Sequence, residues 1–179
     1  MKDDLSLAGK GTQPRYRTRN IPLEEALLQA VEKVMGSSSK VIRARRGEVI
    51  VDKGSIRPIL SALKDSGLDH FVALTCIDLI KEGKFGLVYH LWSYGSRSHV
   101  FVRTKVDRKA PSIDSVYDIY RPAITYEREI KEMFGVDFPG NPRLTQFILE
   151  DWEGIPPMRK DFDLRGYAKE TFAVQEKAR

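Results

Sequence analysis

The sequence predicts an α+β fold, in which a largely antiparallel sheet has helices packed on one face and is followed by an extended C-terminal tail. Two patterns support this prediction. Runs of alternating apolar residues are joined by the short turn sequences KEGK and YGSR, which is typical of strands connected by hairpins. Segments whose apolar residues recur every three or four positions precede and follow these runs, which is typical of amphipathic helices.

The predicted elements follow the order helix, hairpin, helix, three strands and helix. Serine is a favoured N-cap of helices, and glycine is favoured just beyond their last turn, so both residue types define the expected boundaries. In chain order we predict a helix after Pro22, a hairpin turning at Arg46-Gly47, a helix from Ser55 to Gly67, strands at 69–80, 85–93 and 98–106, and a helix from Pro122 to about Phe134.

The last two predicted strands differ in their expected exposure. Residues 85–93 are mostly apolar on both faces of the strand, which predicts a central strand covered on each side. In residues 98–106, valines alternate with polar residues such as His99 and Arg103. Because successive side chains point to opposite faces, this pattern predicts a half-exposed or edge strand.

The histidines and the cysteine offer little for a metal site. A tight turn at YGSR would place His90 opposite Phe101 and His99 opposite Trp92, so the two imidazoles would be diagonal neighbours. Two histidines and one distant cysteine, Cys76, do not make a ligand set, and we predict structural or surface roles for the histidines. A single cysteine also excludes an internal disulfide and any multi-cysteine zinc or iron–sulfur site within this chain.

Charge and hydropathy leave several partner classes open. The net charge of +5 and the pI of about 9.3 permit a nucleic acid, an anionic membrane surface or an acidic protein. No apolar run approaches the roughly 18 residues that cross a membrane, and the N-terminus lacks the pattern of a signal peptide. We therefore expect any association with a membrane to be indirect.

The stretch YEREIKEMFG concentrates charge on the last predicted helix. Glu127 and Glu129 diverge by about 160° around a helix, so they do not form a catalytic dyad by themselves. Glu127 and Lys131 are a well-oriented pair at i and i+4, and Arg128 and Glu132 are the less favourable reverse pair. Composition alone favours a solvated helix face, with a catalytic site, a metal site or a docking surface as the alternatives.

Three regions are predicted along the sequence. Residues 1–20 are read as an extended basic arm, with a disordered terminus as the other interpretation, and residues 21–135 as the α+β domain. Residues 136–179 show no clear period and are read as an extended partner-binding segment, because prolines stiffen a polypeptide and aromatic residues are common interface anchors. A tail that wraps its own domain is the other interpretation. The residues that motivate the partner-binding interpretation are Phe138, Pro139, Pro142, Phe147, Trp152, Pro156, Pro157 and Phe162.

Two motifs, YEREIKEMFGVDFPGNPRL and LEDWEGIPPMRKDF, resemble the signature of the thirty-kilodalton subunit of respiratory complex I, also called the C subunit of NADH dehydrogenase. Asn141 stands where that family usually has histidine, and Gln146 where arginine is common. These departures indicate a distant branch, such as the short homologues in energy-converting membrane-bound hydrogenases and related complexes. The matching positions are Glu127, Arg128, Glu129, Phe134, Gly135, Phe138, Gly140, Pro142, Leu144, Asp151, Trp152, Gly154, Pro156, Arg159, Lys160 and Asp161.

The resemblance implies a cofactor-free structural subunit of the cytoplasmic arm of a complex I-like, ion-translocating oxidoreductase, peripheral to the cell membrane. The subunit would dock on the nickel–iron-like large subunit and lie near the small iron–sulfur subunit, and no nucleic acid is expected. Iron–sulfur clusters, and nickel–iron in a hydrogenase, would belong to these partners. The residues carried over as partner-binding are Glu127, Arg128, Glu129, Phe134, Asp151, Trp152, Arg159, Lys160 and Asp161; no catalytic, cofactor or metal residue is carried over.

Two other functions stay open on the sequence. One is a stand-alone module that binds RNA or a membrane surface through Arg15, Arg17, Arg19 and the arginines of the hairpin. The other is a small enzyme that uses the glutamates of the last helix. Within the complex I-like reading, the departures from the family pattern favour a membrane-bound hydrogenase or a related complex, and a sulfur reductase and an NADH:quinone type stay open.

Overall fold

The computed structural model of the protein describes residues 41–45, 47–150 and 152–172. The predicted basic arm at residues 1–20 and the helix predicted after Pro22 lie outside the described residues, as does Asp151.

The described residues form a five-stranded sheet with the order β1-β2-β5-β4-β3. All neighbouring pairs are antiparallel except β2 and β5, which are parallel. The predicted α+β class, with its largely antiparallel sheet, is therefore confirmed. The elements are β1 (Val41–Arg45), β2 (Glu48–Val51), α1 (Ile56–Asp65), β3 (His70–Leu79), β4 (Lys84–Ser93), β5 (Ser98–Asp107), α2 (Ala123–Phe134) and α3 (Leu164–Phe172).

Helices α1 and α2 share one hydrophobic core with the inward face of the sheet. Helix α1 buries the stripe predicted from its spacing, Ile56, Ile59, Leu60 and Leu63. The helix ends before Gly67, whose positive φ of +96° is a backbone conformation that residues with a side chain rarely adopt. The boundaries predicted for α1, and the hairpin formed by β1 and β2, are confirmed.

Strand β5 is half-exposed as predicted, because Val100 and Val102 are buried while Phe101 and Arg103 between them are exposed. It is not an edge strand, since it lies between β2 and β4. The alternation of a strand reports which face is covered and carries no information on whether a neighbour pairs along each side. Strand β4 is central as predicted, although its outer residues, such as Trp92, are only half-buried.

The C-terminal segment, defined as residues 136–172, begins inside the core. Val136 and Phe138 are at most 1% exposed. The backbone of Asp137 exchanges hydrogen bonds with the stretch before α2, accepting from the amide of Ile113 and donating to the carbonyl of Pro111. The segment also contains α3, which the sequence did not predict. It therefore contributes to the core before it becomes irregular and exposed.

Candidate functional site

The charged side chains of helix α2 lie in three different environments: the core, a neighbouring loop and the solvent. Glu127 faces the core, with none of its surface exposed. Arg128 and Glu132 face the loop at residues 145–149, whereas Glu129 is exposed. Residues that read as one charged stretch in the sequence therefore do not form one surface.

The Glu127 site, formed by Glu127, Ser115, Val116 and Asn141, joins α2 to the segments on either side of it. The buried carboxylate accepts hydrogen bonds from the Ser115 hydroxyl at 2.5 Å, the Val116 amide at 2.9 Å and the Asn141 side chain at 2.7 Å. Burial raises the pKa of Glu127 above its ordinary value, while the three donors favour the ionised form. The carboxylate acts as an internal cross-link.

Two expectations for Glu127 are wrong, the solvated helix face and the pairing with Lys131. Lys131 instead lies 2.5 Å from a carboxylate oxygen of Asp137. The stretch before α2 runs beside the C-terminal segment, where the Ser115 amide donates to the Pro139 carbonyl, and together they enclose the Glu127 carboxylate. With no exposed atom, Glu127 has no surface with which to touch a partner in this conformation.

Arg57 of α1 holds the same stretch from the other side. Its guanidinium donates to both carboxylate oxygens of Asp118, at 2.9 and 2.6 Å, and to the Ser115 carbonyl. The hydrogen bonds from Arg57 lower the pKa of Asp118 below its ordinary value. The connection between β5 and α2 is therefore held by charged groups from both helices.

Arg128 and Glu132 both bind the backbone of residues 145–149, which we call the Phe147 loop. Arg128 donates to the Gln146 carbonyl at 2.7 Å, and the Glu132 carboxylate accepts from the amides of Phe147 and Ile148 at 2.9 and 2.8 Å. The two side chains, predicted to pair along the helix, are thus engaged by the loop.

The Asp78 cluster, formed by Asp78, Arg108, Arg159 and Asp161, joins the ends of β3 and β5 to the C-terminal segment. Arg108 donates to both oxygens of Asp78 at 3.0 and 3.1 Å and to Asp161 at 2.6 Å. Arg159 donates to Asp161 at 3.2 Å. The backbone amide of Lys160 completes the attachment, at 2.8 Å from Asp78.

Burial and ion pairing compete within the Asp78 cluster. Burial opposes the charged form of Asp78, but the hydrogen bonds from Arg108 and the Lys160 amide outweigh it and lower the pKa of this carboxyl. The hydrogen bond from Arg108 lowers the pKa of Asp161 to about 2. The cluster is therefore a set of paired charges at neutral pH. Sequence reasoning missed Asp78 and Arg108, although an aspartate within the apolar run CIDLI is a usable signal.

His90 and His99 lie on the outer face of the sheet, in the strand register that the sequence of the turn predicted. His90 pairs with Phe101 and Trp92 with His99 across β4 and β5. The ring nitrogens of His90 and His99 lie 2.7 Å apart, and the His90 and Phe101 rings stack at 4.4 Å. Among the described residues, no group of three or more His, Cys, Asp or Glu could hold a metal ion.

We expect the stability of the protein to depend on the His90 imidazole below about pH 6.5. Burial and then the proximity of His99 lower the pKa of His90 in the folded protein below its ordinary value of 6.5. The unfolded protein therefore binds this proton first as the pH falls, which destabilises the fold. Urea unfolding at pH 7 and pH 5 should show a larger loss of stability for the wild type than for His90→Gln; equal losses would contradict the assignment.

Residues 49–168 match the family described as "Respiratory-chain NADH dehydrogenase, 30 Kd subunit". The chain belongs to this family. The recognition made from the two motifs is thereby confirmed, and the match extends well upstream of them.

Relatives and solved structures agree with membership of the thirty-kilodalton subunit family. The C subunit of the NADH-quinone oxidoreductase of Citrifermentans bemidjiense is 34% identical over 71% of this chain and 81% of that protein. The C subunit of the F(420)H(2) dehydrogenase of Methanosarcina mazei is 32% identical over 63% of this chain and 73% of that protein. A component of the membrane-bound sulfane sulfur reductase, an archaeal respiratory membrane complex, is 37% identical with a TM-score of 0.74, over 87% of this chain and 94% of that one.

A trypsin-resistant fragment of Nqo5 has the same fold, at a TM-score of 0.54 and 23% identity over 65% of this chain and 98% of the fragment.

Among the residues that the structure describes, no helix is long and apolar enough to cross a membrane.

The residues of the family signature occupy different depths. Phe134 is 7% exposed and packs edge-on against Phe85, with the ring centres 6.0 Å apart. Trp152 is half-buried in a cluster with Phe162 and Tyr167, at ring distances of 5.6 and 4.8 Å. Phe134 and Trp152 therefore stabilise the protein itself in this conformation. Their predicted contact with a partner stays a prediction.

The charged signature residues near the C-terminus are largely engaged within the protein. Arg159 and Asp161 belong to the Asp78 cluster, and Arg159 also lies over the ring of Phe85. The side chain of Lys160 is exposed. Their predicted pairing with charges on another subunit likewise stays a prediction.

Exposed apolar side chains concentrate in the C-terminal segment. Five of the nine large apolar residues that are exposed among the described residues lie between positions 147 and 164. Sequence reasoning singled out the aromatic residues and prolines of this region and overlooked its aliphatic residues. The five are Phe147, Ile148, Ile155, Met158 and Leu164.

Proposed function

We propose that this protein is a cofactor-free structural subunit in the cytoplasmic arm of a complex I-like, ion-translocating oxidoreductase, and that it docks on the nickel–iron-like large subunit through its C-terminal segment. Relatives named as subunits of respiratory oxidoreductases support the assignment to such a complex. Electron transfer would take place in neighbouring subunits.

The observation that carries the proposal is the exposed apolar surface of the C-terminal segment. Ile155, Met158 and Leu164 are 52%, 56% and 66% exposed. Such residues stabilise a protein only when another surface covers them, so their concentration in one segment supports a partner interface there. The Asp78 cluster holds this segment on the domain and would present it to the large subunit in one orientation.

A structural role fits the chemistry of the charged residues better than a catalytic one. Glu127 is enclosed by three donors and has no exposed atom, so a substrate cannot reach it in this conformation. Glu132 accepts backbone hydrogen bonds from the Phe147 loop. The single cysteine of the sequence is too few for the thiolates of an iron–sulfur cluster.

The exposed apolar residues provide the test. We expect Met158→Glu combined with Leu164→Glu to lower the amount of large subunit that co-purifies with the tagged protein by at least about tenfold, because charges would be buried at the interface. Tyr94→Glu is the matched control, since Tyr94 is also 66% exposed but lies outside the C-terminal segment. Quantitative mass spectrometry of the purified native complex measures the ratio.

Equal recovery of the large subunit with the double variant and the wild type would contradict docking through this segment. Loss of recovery with Tyr94→Glu alone would place the interface at the turn between β4 and β5 instead.

A further inference from the structure

The Phe147 loop exposes two bulky apolar side chains in an otherwise irregular stretch. Phe147 is 41% exposed and Ile148 is 54% exposed, and neither lies in a helix or strand. Loops of this kind ordinarily carry polar residues at their tips and gain nothing from presenting phenylalanine and isoleucine to water. The loop therefore has the chemistry of a contact surface.

Two charged side chains of α2 fix the backbone of this loop. The Glu132 carboxylate accepts from the consecutive amides of Phe147 and Ile148, and Arg128 donates to the Gln146 carbonyl. The Arg128 guanidinium also lies 4.6 Å from the centre of the Phe147 ring. Burial opposes the charged form of Glu132, yet the amide hydrogen bonds outweigh it and lower its pKa.

Holding a loop in this way reduces the entropy that is lost when it binds. The two charges that do it are opposite, and both are directed at backbone groups beneath the tip, so they add no net charge to it. A neutral apolar tip is complementary to a neutral apolar pocket and gives no attraction to a phosphate backbone or an anionic lipid surface.

We propose that Phe147 and Ile148 form a preorganised knob that inserts into an apolar pocket of the large subunit, with Arg128 and Glu132 as its positioning residues. This inference rests on the proposed function, because it takes the large subunit as the partner. It assigns Arg128 a role within the protein, in place of a direct ion pair across the interface. It also adds Glu132, which the family signature did not include.

The affinity of the full-length protein for the purified large subunit tests the knob. We expect Phe147→Ala combined with Ile148→Ala to weaken binding by about thirtyfold, since interface anchors of this kind dominate affinity. Both side chains are exposed, so the fold should be retained, and an unchanged thermal unfolding curve checks this. Tyr94→Ala is the control for removing an exposed aromatic side chain elsewhere.

The positioning role has its own readout. Glu132→Gln should weaken binding about fivefold and raise hydrogen exchange at the amides of Phe147 and Ile148, because an amide side chain offers one acceptor oxygen in place of two. Exchange in the centre of α2 should not change. Glu129→Gln, on the exposed side of the same helix, is the matched control and should alter neither quantity.

The outcomes separate the two proposals. If the wild-type protein does not bind the large subunit, the proposed function and the knob both fail. If the wild type binds and the Phe147→Ala, Ile148→Ala variant binds equally well, only the knob is overturned. Binding of the wild type to phosphatidylglycerol vesicles that is lost in this variant, with unchanged affinity for the large subunit, would also overturn it in favour of a lipid contact.

Discussion

Replacing Glu127 with alanine should lower the free energy of unfolding by about 3 kcal/mol, because buried donors would lose their acceptor. The Val116 amide cannot turn away to another partner, and the Asn141 side chain would lose one of its two acceptors. The site joins three segments that are distant in sequence, so its loss should loosen the connection before α2 and the start of the C-terminal segment together. Urea unfolding monitored by circular dichroism measures the change.

Glu129→Ala is the control for this experiment, because Glu129 lies two residues away on the same helix and is exposed. Its effect should stay within about 0.5 kcal/mol, as for most surface substitutions. Glu127→Gln should fall between the two, since its amide group would face the amide of Asn141. Equal stability of the Glu127→Ala and Glu129→Ala variants would contradict the cross-linking role.

Replacing Asp78 with alanine should be the second large loss, at about 3 kcal/mol, because it removes the buried carboxylate that pairs with Arg108. Among the described residues, the guanidinium would then keep only Asp161, whose side chain is 40% exposed, as its acidic partner. The side chains of Asp78 and Arg108 are 2% and 14% exposed. The amide of Lys160 would lose its acceptor as well, so the C-terminal segment should detach locally. Limited trypsin digestion of Asp78→Ala should therefore cut at Arg159 and Lys160 faster than in the wild type.

The surface pair between Lys105 and Glu82 provides the comparison, since both side chains are about half exposed, at 48% and 51%. Glu82→Ala should change the stability far less than Asp78→Ala does and leave the digestion pattern unchanged, because exposed ion pairs contribute little. Digestion of Asp78→Ala at the wild-type rate would show that the cluster does not hold the segment.

The direction of the pKa shift of Asp78 determines how its contacts with Arg108 and Lys160 depend on pH. The pKa of Asp78 is lower in the folded protein than its ordinary value of 3.8, so its stabilising contribution is complete at neutral pH. It is lost only as the pH falls below 3.8 through the folded value. The contribution of Asp78 to the attachment of the C-terminal segment should therefore not change between pH 5 and pH 8.

Local structure could be predicted from the sequence because its signals are local. Pro122 and Gly135 bound helix α2, and the glycine adopts the left-handed backbone expected at a helix end, at φ +79°. A short turn sets the register of β4 against β5, so the turn sequence alone places His90 opposite Phe101. The family, too, was recognisable from two motifs of the primary structure.

Only the tertiary structure decided which charges are surface groups and which are structural. Glu127 and Glu129 are indistinguishable by type and lie on the same helix, yet one is enclosed and the other exposed. The difference comes from Ser115 and Asn141, which are 12 and 14 residues away from Glu127 and reach it by folding back on either side. Helical periodicity predicts the direction in which each side chain points. It does not predict which distant segments pack against that side of the helix.

The same reason explains the other features that the sequence left undetermined. Strand β5 pairs in parallel with β2 across an intervening helix and hairpin, and the Lys160 amide meets Asp78 across 82 positions of the sequence. Contacts between residues so distant in sequence depend on the topology of the whole core. The hydrophobic effect is non-directional, so the apolar pattern of one segment does not specify which other segment packs against it. The sequence determined the family and the elements up to α2, and the packed core determined which charged residues hold the protein together and which apolar residues stay exposed.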